Sequence, residues 1–214
     1  LDPGQTSLQP RDHGGCATVE NTGPSIGAYA AVNGGFYSTC TPTDLLRTNG
    51  TTHTLSSTTG YEQRAAGWNA YGSLDLQWVD TATDWTVYDN AMAGYPSLVE
   101  HSVATAEVYD GQQVWSSTDW SNNPHTALGV AADGTVMLLT VDGRTSAGDG
   151  LTTPSLASLM LDLGAVNAIN LDGGGSTTMW VKDCWLNGVV NFPSDNGAAD
   201  HEGGRSVASG LYLH

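Results

Sequence analysis

Residues 153–178 read TPSLASLMLDLGAVNAINLDGGGSTT and predict, in order, a helix, a strand and a glycine-rich turn. Thr153-Pro154 begins the helix, because proline is tolerated in a first helical turn. The apolar residues that follow recur at helical spacing: Leu156, Leu159, Met160 and Leu163. Gly164 supplies the left-handed residue that commonly ends a helix, and Ala165–Leu171 follows as a short buried strand.

The rest of the chain is rich in strand and turn signals. Arg64–Asp80 and His125–Asp142 each place a small-residue segment, a turn and an alternating apolar strand in the same order, as β-hairpins do. The first turns at Tyr71-Gly72 and the second at Asp133-Gly134, a strong hairpin signal. Further strands are predicted at Gly27–Tyr37, Thr177–Val181, Trp185–Asn191 and Ser206–Leu213. The sequence therefore predicts an α+β fold, a mixed and strand-rich single domain with few helices.

Residues 1–25 are polar and contain several Pro and Gly, which predicts an extended N-terminal arm. Residues 26–214 then form the single folded domain, which is long enough to bury a full hydrophobic core. No run of the sequence approaches the ~18 consecutive apolar residues of a membrane helix, so a helical membrane span is excluded.

The charge balance is strongly acidic and limits the kinds of partner. Six Lys and Arg residues face 22 Asp and Glu in 214 residues, a formal net charge of −16. Nucleic acids and acidic membrane surfaces attract proteins with basic patches, so nucleic acid is excluded as a partner and an acidic membrane surface is disfavoured. An anionic substrate would have to be bound by backbone N–H groups or by one of four arginines: Arg47, Arg64, Arg144 or Arg205.

The three cysteines, Cys16, Cys40 and Cys184, allow at most one internal disulfide. Cys16 and Cys40 bracket a glycine-rich segment and are the predicted pair, with three unrelated buried thiols as the alternative. The acidic composition, rich in Trp, Tyr and Thr, is typical of extracellular domains, so we expect a secreted protein. The absence of a leader segment at Leu1 fits a start that has already been processed.

The densest chemical signal is Asn170–Thr178, which reads NLDGGGSTT. Gly173–Gly175 lets backbone N–H groups converge at the end of a strand, which predicts an anion-binding nest. Ser176 and Thr177 add hydroxyl donors, and Asp172 supplies a carboxylate directly before the nest. The alternative is a turn that needs glycine only for its backbone geometry.

Two of the six cations lie in glycine-flanked turns. Val141-Asp142-Gly143-Arg144 follows the second hairpin, and Gly203-Gly204-Arg205-Ser206 precedes the final strand. A guanidinium group can bind a phosphate through two parallel N–H bonds, so Arg144 and Arg205 are candidates for that role. The alternative for each arginine is a surface ion pair.

Together these stretches resemble the phosphodiester glycosidase family over residues 26–213, in the order in which the family has them. Asn33-Gly34-Gly35-Phe36-Tyr37 is similar to the family's Asn-Gly-Gly-Phe-aromatic turn, and Leu171–Ser176 is the most specific match. The other matching stretches are Gly94–Val99, Thr126–Val130, Val141–Arg144, Gly188–Asn191 and Gly204–Val207.

The resemblance implies a hydrolase that cleaves a sugar-1-phosphodiester at the anomeric carbon. A phosphate leaves as a stable anion, so the site must neutralise negative charge and place a carboxylate near the developing oxocarbenium ion. Asp172 and Asp142 are the candidate carboxylates. A separation of ~5–5.5 Å would predict retention at the anomeric carbon, and ~6.5–9.5 Å inversion. Three other carboxylates lack a surrounding glycine-rich turn and rank lower: Glu62, Glu100 and Glu107.

A larger set is expected to bind the substrate, through amide groups, backbone N–H groups, hydroxyls or guanidinium groups. Its members are Asn33, Gly34, Gly35, Arg144, Asn170, Gly173, Gly174, Gly175, Ser176, Thr177, Asn191 and Arg205. The asparagines could equally satisfy only the backbone of their turns. Phe36, Tyr37 and Trp180 are aromatic residues that either stack on a sugar or belong to the core.

One departure from the family pattern concerns a candidate catalytic residue. Pro124-His125-Thr126 stands where we expect arginine before Thr-Ala-(Ile/Leu)-Gly. If that arginine binds phosphate in relatives, His125 indicates either a substrate without that phosphate or a titrating acid/base group. A hydrogen-bonded structural histidine is the alternative.

Three functions remain open: an exported phosphodiester glycosidase acting on a glycan or teichoic-acid-like phosphodiester, a glycosidase or transglycosidase of the same fold acting on an uncharged glycan, and a non-catalytic glycan-binding module. The expected partner in each case is a carbohydrate or phosphoglycan. The chain has no EF-hand or zinc-ligand spacing, so no obligatory metal or other cofactor is predicted. Ca²⁺ is the cation that its acidic loops would suit. The sequence gives no indication of oligomeric state.

Overall fold

A computed structural model describes residues 7–55, 64–69, 74–79, 83–105, 108–109, 112–113 and 121–214. The α-helices of these residues are α1 (Val19–Ser25) and α2 (Thr153–Asp162), and short 3-10 turns include Trp85–Val87, Gly174–Ser176 and Ser194–Asn196. The strands are β1 (Leu8–Ala17), β2 (Ala30–Asn33), β3 (Tyr37–Ser38), β4 (Thr41–Pro42), β5 (Leu46–Thr48), β6 (Thr51–Thr54), β7 (Arg64–Trp68), β8 (Asp75–Trp78), β9 (Asn90–Gly94), β10 (Ser97–Glu100), β11 (Val103–Ala104), β12 (Val108–Tyr109), β13 (Gln112–Gln113), β14 (His125–Ala131), β15 (Val136–Val141), β16 (Ala165–Asn170), β17 (Met179–Val181) and β18 (Val207–Leu213). The predicted strand-rich α+β fold is confirmed.

Three antiparallel sheets make up most of the described structure. Their strand orders are β1-β18-β2-β17, β11-β10-β16-β14-β15 and β6-β5-β9-β7-β8. Both predicted hairpins are present, since β14 pairs with β15 and β7 pairs with β8. The predicted turn at Tyr71-Gly72 lies outside the described residues. The main core lies between the sheets, because each of them contributes to one apolar cluster: Val32, Leu46, Trp68, Met92, Leu128, Ile169, Leu171 and Leu211.

Helix α2 forms where the sequence predicts it and covers one face of the second sheet. Thr152 caps its first turn by accepting a hydrogen bond from the Ser155 N–H group, and Gly164, with φ of +93°, follows its last turn. Its buried residues pack with apolar residues of the sheet, among them Leu156, Ala157 and Met160 on the helix and Leu98, Ala127 and Ala168 on the strands. Neither helix of the described residues is long and apolar enough to cross a membrane.

The N-terminal segment differs from the predicted arm. β1 is extended, but it pairs along β18, from Leu8 opposite Leu213 to Asp12 opposite Ser209. Helix α1 follows it directly, with Thr18 as its N-terminal cap. A polar composition misled the prediction because β1 is an edge strand, which exposes more of its surface than a central one. The described part of residues 1–25 therefore belongs to the first sheet and its flanking helix.

Two predicted strand segments also need correction. Residues Trp185–Asn191 form turns with one isolated bridge, between Trp180 and Val189, rather than a strand. Asp183 and Trp185 have φ of +62° and +47°, which a β-strand does not allow. The strand predicted from Thr177 begins two residues later, because Gly174–Ser176 and the residue after it turn the chain first.

Cys16 and Cys40 form a disulfide, as predicted, and Cys184 keeps a free thiol. The bond joins the end of β1 to the turn between β3 and β4. That turn belongs to the same loop as Phe36, so the disulfide attaches this loop to the first sheet.

Several strand ends meet at one edge of the structure. The Leu171 N–H group, just after β16, donates to the Thr126 carbonyl of β14 at 2.8 Å. The Asp172 N–H group donates to the carbonyl of Gly34, which follows β2, at 3.2 Å. These two bonds bring the glycine-rich turn against the ends of strands from two different sheets.

Candidate active site

A cleft of about 370 Å³ opens where these strand ends meet. It contains most of the charged and glycine residues that the sequence predicts for the site, together with several others. Its lining residues are Phe36, Tyr95, Asn123, Pro124, His125, Arg144, Thr153, Asn170, Asp172, Gly173, Gly174, Gly175 and Arg205.

Asp172 is the one carboxylate among the described residues that line the cleft. Burial raises the pKa of its carboxyl above the ordinary value for aspartate. The Ser176 hydroxyl, the Gly173 N–H group and the Arg205 guanidinium oppose that rise by favouring the ionised form. A partly desolvated carboxylate in a cleft is suited to nucleophilic or general acid/base chemistry.

The glycine turn uses one N–H group of the predicted anion-binding nest for its own structure, and anion binding by the nest stays a prediction. The Gly174 N–H group donates to the Pro124 carbonyl at 2.9 Å. The N–H groups of Ser176 and Thr177 donate to the carbonyls of Gly173 and Gly174, at 3.1 and 3.2 Å. One of the three predicted nest donors, the Gly174 N–H group, is therefore already hydrogen-bonded within the protein. The missing Cβ atoms also leave space for neighbouring guanidinium groups.

Arg144 lies against the first of these spaces. Its backbone is left-handed, with φ of +56°, and its Nε and Nη2 atoms donate to Asn123 Oδ1 at 3.1 and 2.6 Å. A Cβ atom on Gly174 would lie 2.9 Å from Arg144 Nη1, so glycine is needed for this approach. None of the salt bridges of the described residues involves Arg144, which leaves its positive charge available to a ligand.

Arg205 occupies the second space, but together with a carboxylate. Its Nε and Nη2 atoms each donate to one oxygen of Asp195 at 2.6 Å, and its Nη1 lies 3.5 Å from Ser176 Oγ. A Cβ atom on Gly175 would collide with both side chains of this pair. The pairing with Asp195 raises the pKa of Arg205 and partly compensates its charge. Arg205 is therefore a weaker source of positive potential than Arg144.

His125 is 6% exposed and both of its ring nitrogens face oxygen atoms. Nδ1 lies 3.2 Å from Asn170 Oδ1, and Nε2 lies 2.9 Å from the Leu151 carbonyl. Asn170 Nδ2 donates to the Tyr95 carbonyl at 2.8 Å, which directs the amide oxygen toward the imidazole. Because both partner atoms accept hydrogen bonds, only the doubly protonated ring can donate to both. A neutral ring donates to only one of them. The role of His125 as an acid or base stays a prediction.

Asn33 lies behind the cleft rather than in it. It is fully buried; its Nδ2 donates to the Asp172 carbonyl at 2.6 Å, and its Oδ1 accepts from Thr126 Oγ1 at 2.6 Å and from the Thr178 N–H group at 3.2 Å. Asn33 therefore braces the backbone that carries Asp172. The Gly34 carbonyl supports the same backbone by accepting a hydrogen bond from the Asp172 N–H group.

Other predicted site residues are also outside the cleft lining. Asp142 accepts a hydrogen bond from the Phe192 N–H group at 2.8 Å. Asn191 accepts one from the Met179 N–H group at 2.7 Å and donates to the Thr177 carbonyl at 3.1 Å. The residues that the structure does not bring into the lining are Asn33, Gly34, Gly35, Asp142, Ser176, Thr177 and Asn191. The predicted pair of carboxylates is thus represented in the lining by Asp172.

The remaining candidate carboxylates and arginines are engaged elsewhere or not described. Glu100 binds Arg64 through both oxygens, at 2.8 and 2.5 Å. Arg47 is buried and donates to the Tyr88 carbonyl at 2.7 Å. Glu62 and Glu107 lie outside the described residues. Of the four arginines considered from sequence, Arg144 and Arg205 line the cleft.

Sequence reasoning missed Tyr95, Asn123 and Thr153. Tyr95 lies in a stretch that matches the family, and only its contact with Asn170 reveals its place in the site. Asn123 directly precedes Pro124, and an Asn-Pro pair signals a turn that could have drawn attention to it. Thr153 begins α2 and carried only the helix signal.

The described residues contain no group of three or more His, Cys, Asp or Glu side chains that could hold a metal ion. The absence of an obligatory metal and the option of Ca²⁺ both stay predictions, since acidic residues also occur in the segments that are not described.

The cleft has the features of a site for an anionic substrate: one carboxylate, two guanidinium groups and a buried imidazole. A family model described as phosphodiester glycosidase matches residues 26–214, and the chain belongs to that family. The bovine N-acetylglucosamine-1-phosphodiester alpha-N-acetylglucosaminidase is 31% identical over 209 residues, which cover 88% of this chain and 38% of the bovine protein. The human protein of the same name is 29% identical over 212 residues, which cover 88% of this chain and 39% of the human protein. The chain therefore spans less than half the length of these relatives.

Solved structures show the same fold. The catalytic domain of the zebrafish N-acetylglucosamine-1-phosphodiester alpha-N-acetylglucosaminidase, auto-inhibited by its pro-peptide, superposes with a TM-score of 0.76 at 22% identity, over 97% of this chain and 73% of that one. A Burkholderia pseudomallei protein described as exported has a TM-score of 0.70 at 18% identity, over 100% of this chain and 72% of that one.

Proposed function

We propose that this chain is the catalytic domain of an exported phosphodiester glycosidase, which hydrolyses a sugar-1-phosphodiester at the anomeric carbon. The observation that carries the proposal is the placement of Arg144 and Arg205 against adjacent glycines of the turn that begins at Asp172, all lining one cleft. Family membership and the bovine relative's name support the same chemistry.

The arginines account for binding of the negative charge. A phosphodiester carries one negative charge with two non-bridging oxygens, and guanidinium groups bind such oxygens through charge-assisted hydrogen bonds. The protein has a formal net charge of −16, so a cleft that accepts an anion needs locally concentrated positive charge. Arg144, without a described salt bridge, supplies it most directly, and His125 adds to it when doubly protonated.

Asp172 accounts for the chemistry at carbon. The anomeric carbon–oxygen bond breaks, its electron pair leaves with the phosphomonoester, and water supplies the oxygen that replaces it. A carboxylate stabilises the oxocarbenium-like transition state and acts as nucleophile or as base for the water. Ordinary glycosidases add a second carboxyl group to protonate a poor leaving group. A phosphate leaving group has less need of that proton, which agrees with one carboxylate among the described lining residues.

A second function, cleavage or transfer of an uncharged glycosidic bond, is favoured by one specific observation. Burial raises the pKa of Asp172, and a protonated carboxyl is what an alkoxide leaving group requires. His125 in place of the expected arginine points in the same direction. A glycan-binding module without turnover would use the same cleft.

The proposed export agrees with the Cys16–Cys40 disulfide, because disulfides persist in oxidising compartments. The structural similarity to a bacterial protein described as exported adds support. The natural substrate would then be a glycan or teichoic-acid-like phosphodiester outside the cell.

A paired activity screen tests the function. A simple GlcNAc-1-phosphodiester and UDP-GlcNAc are compared with aryl α- and β-glycosides, and released sugar and phosphatase-sensitive phosphomonoester are both measured. We expect phosphodiester turnover, reduced about a thousandfold or more by Asp172→Asn. Turnover of uncharged glycosides alone would establish the second function, and glycan binding without any turnover would establish the third. Activity of Asp172→Asn near the wild-type level would remove Asp172 from the mechanism.

A further inference from the structure

The backbone of Asn123 is fixed independently of its side chain. Its N–H group donates to the Leu151 carbonyl at 2.9 Å, and the Leu151 N–H group donates back to the Asn123 carbonyl at 3.1 Å. Gly150 packs directly against this backbone, and a Cβ atom there would collide with it. Substituting the side chain of Asn123 therefore leaves these main-chain bonds in place.

The side chain of Asn123 is fixed at both ends of its amide. Nδ2 donates to the Ser121 carbonyl at 3.0 Å, which directs Oδ1 to the opposite side. Oδ1 accepts from two atoms of one guanidinium group, Nε and Nη2 of Arg144. One edge of that guanidinium is thus held by the amide, while Nη1 lies on the side of Gly174.

The two arginines of the cleft are oriented by partners of different charge. Asp195 binds Arg205 through two oxygens and compensates its charge, whereas Asn123 binds Arg144 through a neutral oxygen. A neutral acceptor fixes the direction of a guanidinium without reducing its charge. We propose that Asn123 is a positioning residue that holds Arg144 as an oriented, uncompensated cation and so sets the affinity of the cleft for phosphate. The inference rests on the proposed function, which supplies the phosphodiester substrate. The role of Asn123 itself is inferred from its hydrogen bonds to Arg144.

Asn123→Asp is the informative substitution, because aspartate has the same shape and accepts the same two hydrogen bonds from Arg144. It adds a negative charge and loses the donation from Nδ2 to the Ser121 carbonyl. Asn122→Asp is the matched control, since Asn122 is the exposed neighbouring residue and gains the same charge. Two readouts are used: KM and kcat for a GlcNAc-1-phosphodiester, and the Kd of inorganic phosphate from calorimetry, which needs no turnover.

We expect Asn123→Asp to raise KM and the phosphate Kd about tenfold, or about 1.4 kcal/mol, while kcat changes much less. Asn122→Asp should change each value by less than about twofold, since charge on an exposed side chain is screened by solvent and salt. Equal effects of the two variants would show a general field effect and overturn the inference. Wild-type protein that binds no phosphate at millimolar concentration would overturn it as well.

A double-mutant cycle with Arg144→Ala separates positioning from a structural role. If Asn123 acts through Arg144, the effect of Asn123→Asp on the phosphate Kd should be much smaller in the Arg144→Ala protein, where only direct repulsion by the new charge remains. An unchanged effect there would contradict the inference. Because phosphate binding is measured without turnover, a protein that follows this pattern but cleaves no phosphodiester would refute the proposed function and leave the inference standing.

Discussion

The ionised carboxylate of Asp172 lowers folding stability, because it is largely buried. Burial raises the pKa of its carboxyl, so the folded state binds the proton more tightly than the unfolded state does. Its contribution to stability is therefore fully present below the unfolded pKa and is lost as pH rises through the higher folded pKa. Activity as a nucleophile or base follows the opposite course, because it requires the ionised form.

Asp172→Asn should therefore stabilise the protein at pH values above the folded pKa of Asp172, where the wild type holds a buried charge. The difference in Tm between variant and wild type should shrink as pH falls through the folded pKa of Asp172, because the wild-type carboxyl is then neutral too. Thermal unfolding measured across pH 3–8 checks this, with exposed Asp149→Asn as a control. A variant less stable than wild type at pH values above that pKa would show that the hydrogen bonds from Ser176 and Gly173 outweigh desolvation.

At the scale of elements, the glycines of the turn leave space for neighbouring groups that Cβ atoms would displace. Gly173 packs against the Pro124 carbonyl, Gly174 against Arg144, and Gly175 against the Arg205–Asp195 pair. Each glycine thus permits a different contact, and the turn arranges both guanidinium groups beside Asp172.

Gly175→Ala should displace the Arg205–Asp195 pair, because the new methyl group collides with both side chains. We expect a loss of about 1–3 kcal/mol in the free energy of unfolding, together with a higher KM for phosphodiesters. Gly148→Ala is the matched control, since a Cβ atom there meets nothing within 4 Å. Denaturant unfolding and steady-state kinetics of both variants test the prediction, which fails if the two behave alike.

The elements differ in how far the sequence predicts them, and the reason is the range of the interactions. Helix α2 and the β14–β15 hairpin were predicted because caps, apolar spacing and the Asp133-Gly134 turn act within a few residues. Helix α1 was missed because Gly23 and Pro24, which lie inside it, are residues that disfavour a helix and outweigh the capping signal of Thr18.

The site follows the same rule. Asp172, Arg144 and Arg205 were identified by residue type and glycine neighbours, and all three line the cleft. The use of the Gly174 N–H group was not predictable, because its acceptor, the Pro124 carbonyl, is distant in sequence. An asparagine can either support the backbone or bind a ligand, and the residue type alone does not distinguish the two roles. Only tertiary contacts place Asn33 behind the cleft.

At the scale of the whole molecule, the two ends of the described chain are held in one sheet. β1 pairs with β18, and the Cys16–Cys40 disulfide attaches β1 to the loop that carries Phe36. The disulfide therefore links the N-terminal strand covalently to a loop whose residue Phe36 lines the cleft.

Replacing both Cys16 and Cys40 with serine should lower the free energy of unfolding by about 3 kcal/mol, because the bond closes a loop with a sequence separation of 24. Unfolding of the wild type with and without a reductant should give the same difference as the double variant. Cys184→Ser, which removes the free thiol, serves as the control. An unchanged unfolding midpoint after reduction would contradict the prediction. It would mean that the pairing of β1 with β18 holds the N-terminal strand without the disulfide.

The Arg205–Asp195 pair gives the cleft an internal competitor. An incoming anion can take both N–H groups of that guanidinium fork only by displacing a carboxylate that already holds them at 2.6 Å. We expect weakly binding anions such as acetate or chloride not to displace Asp195, which leaves Arg144 as their main partner. If the proposed function holds, the sugar of a phosphodiester adds the contacts that displacement of Asp195 requires, and we expect the cleft to select among anions at the binding step.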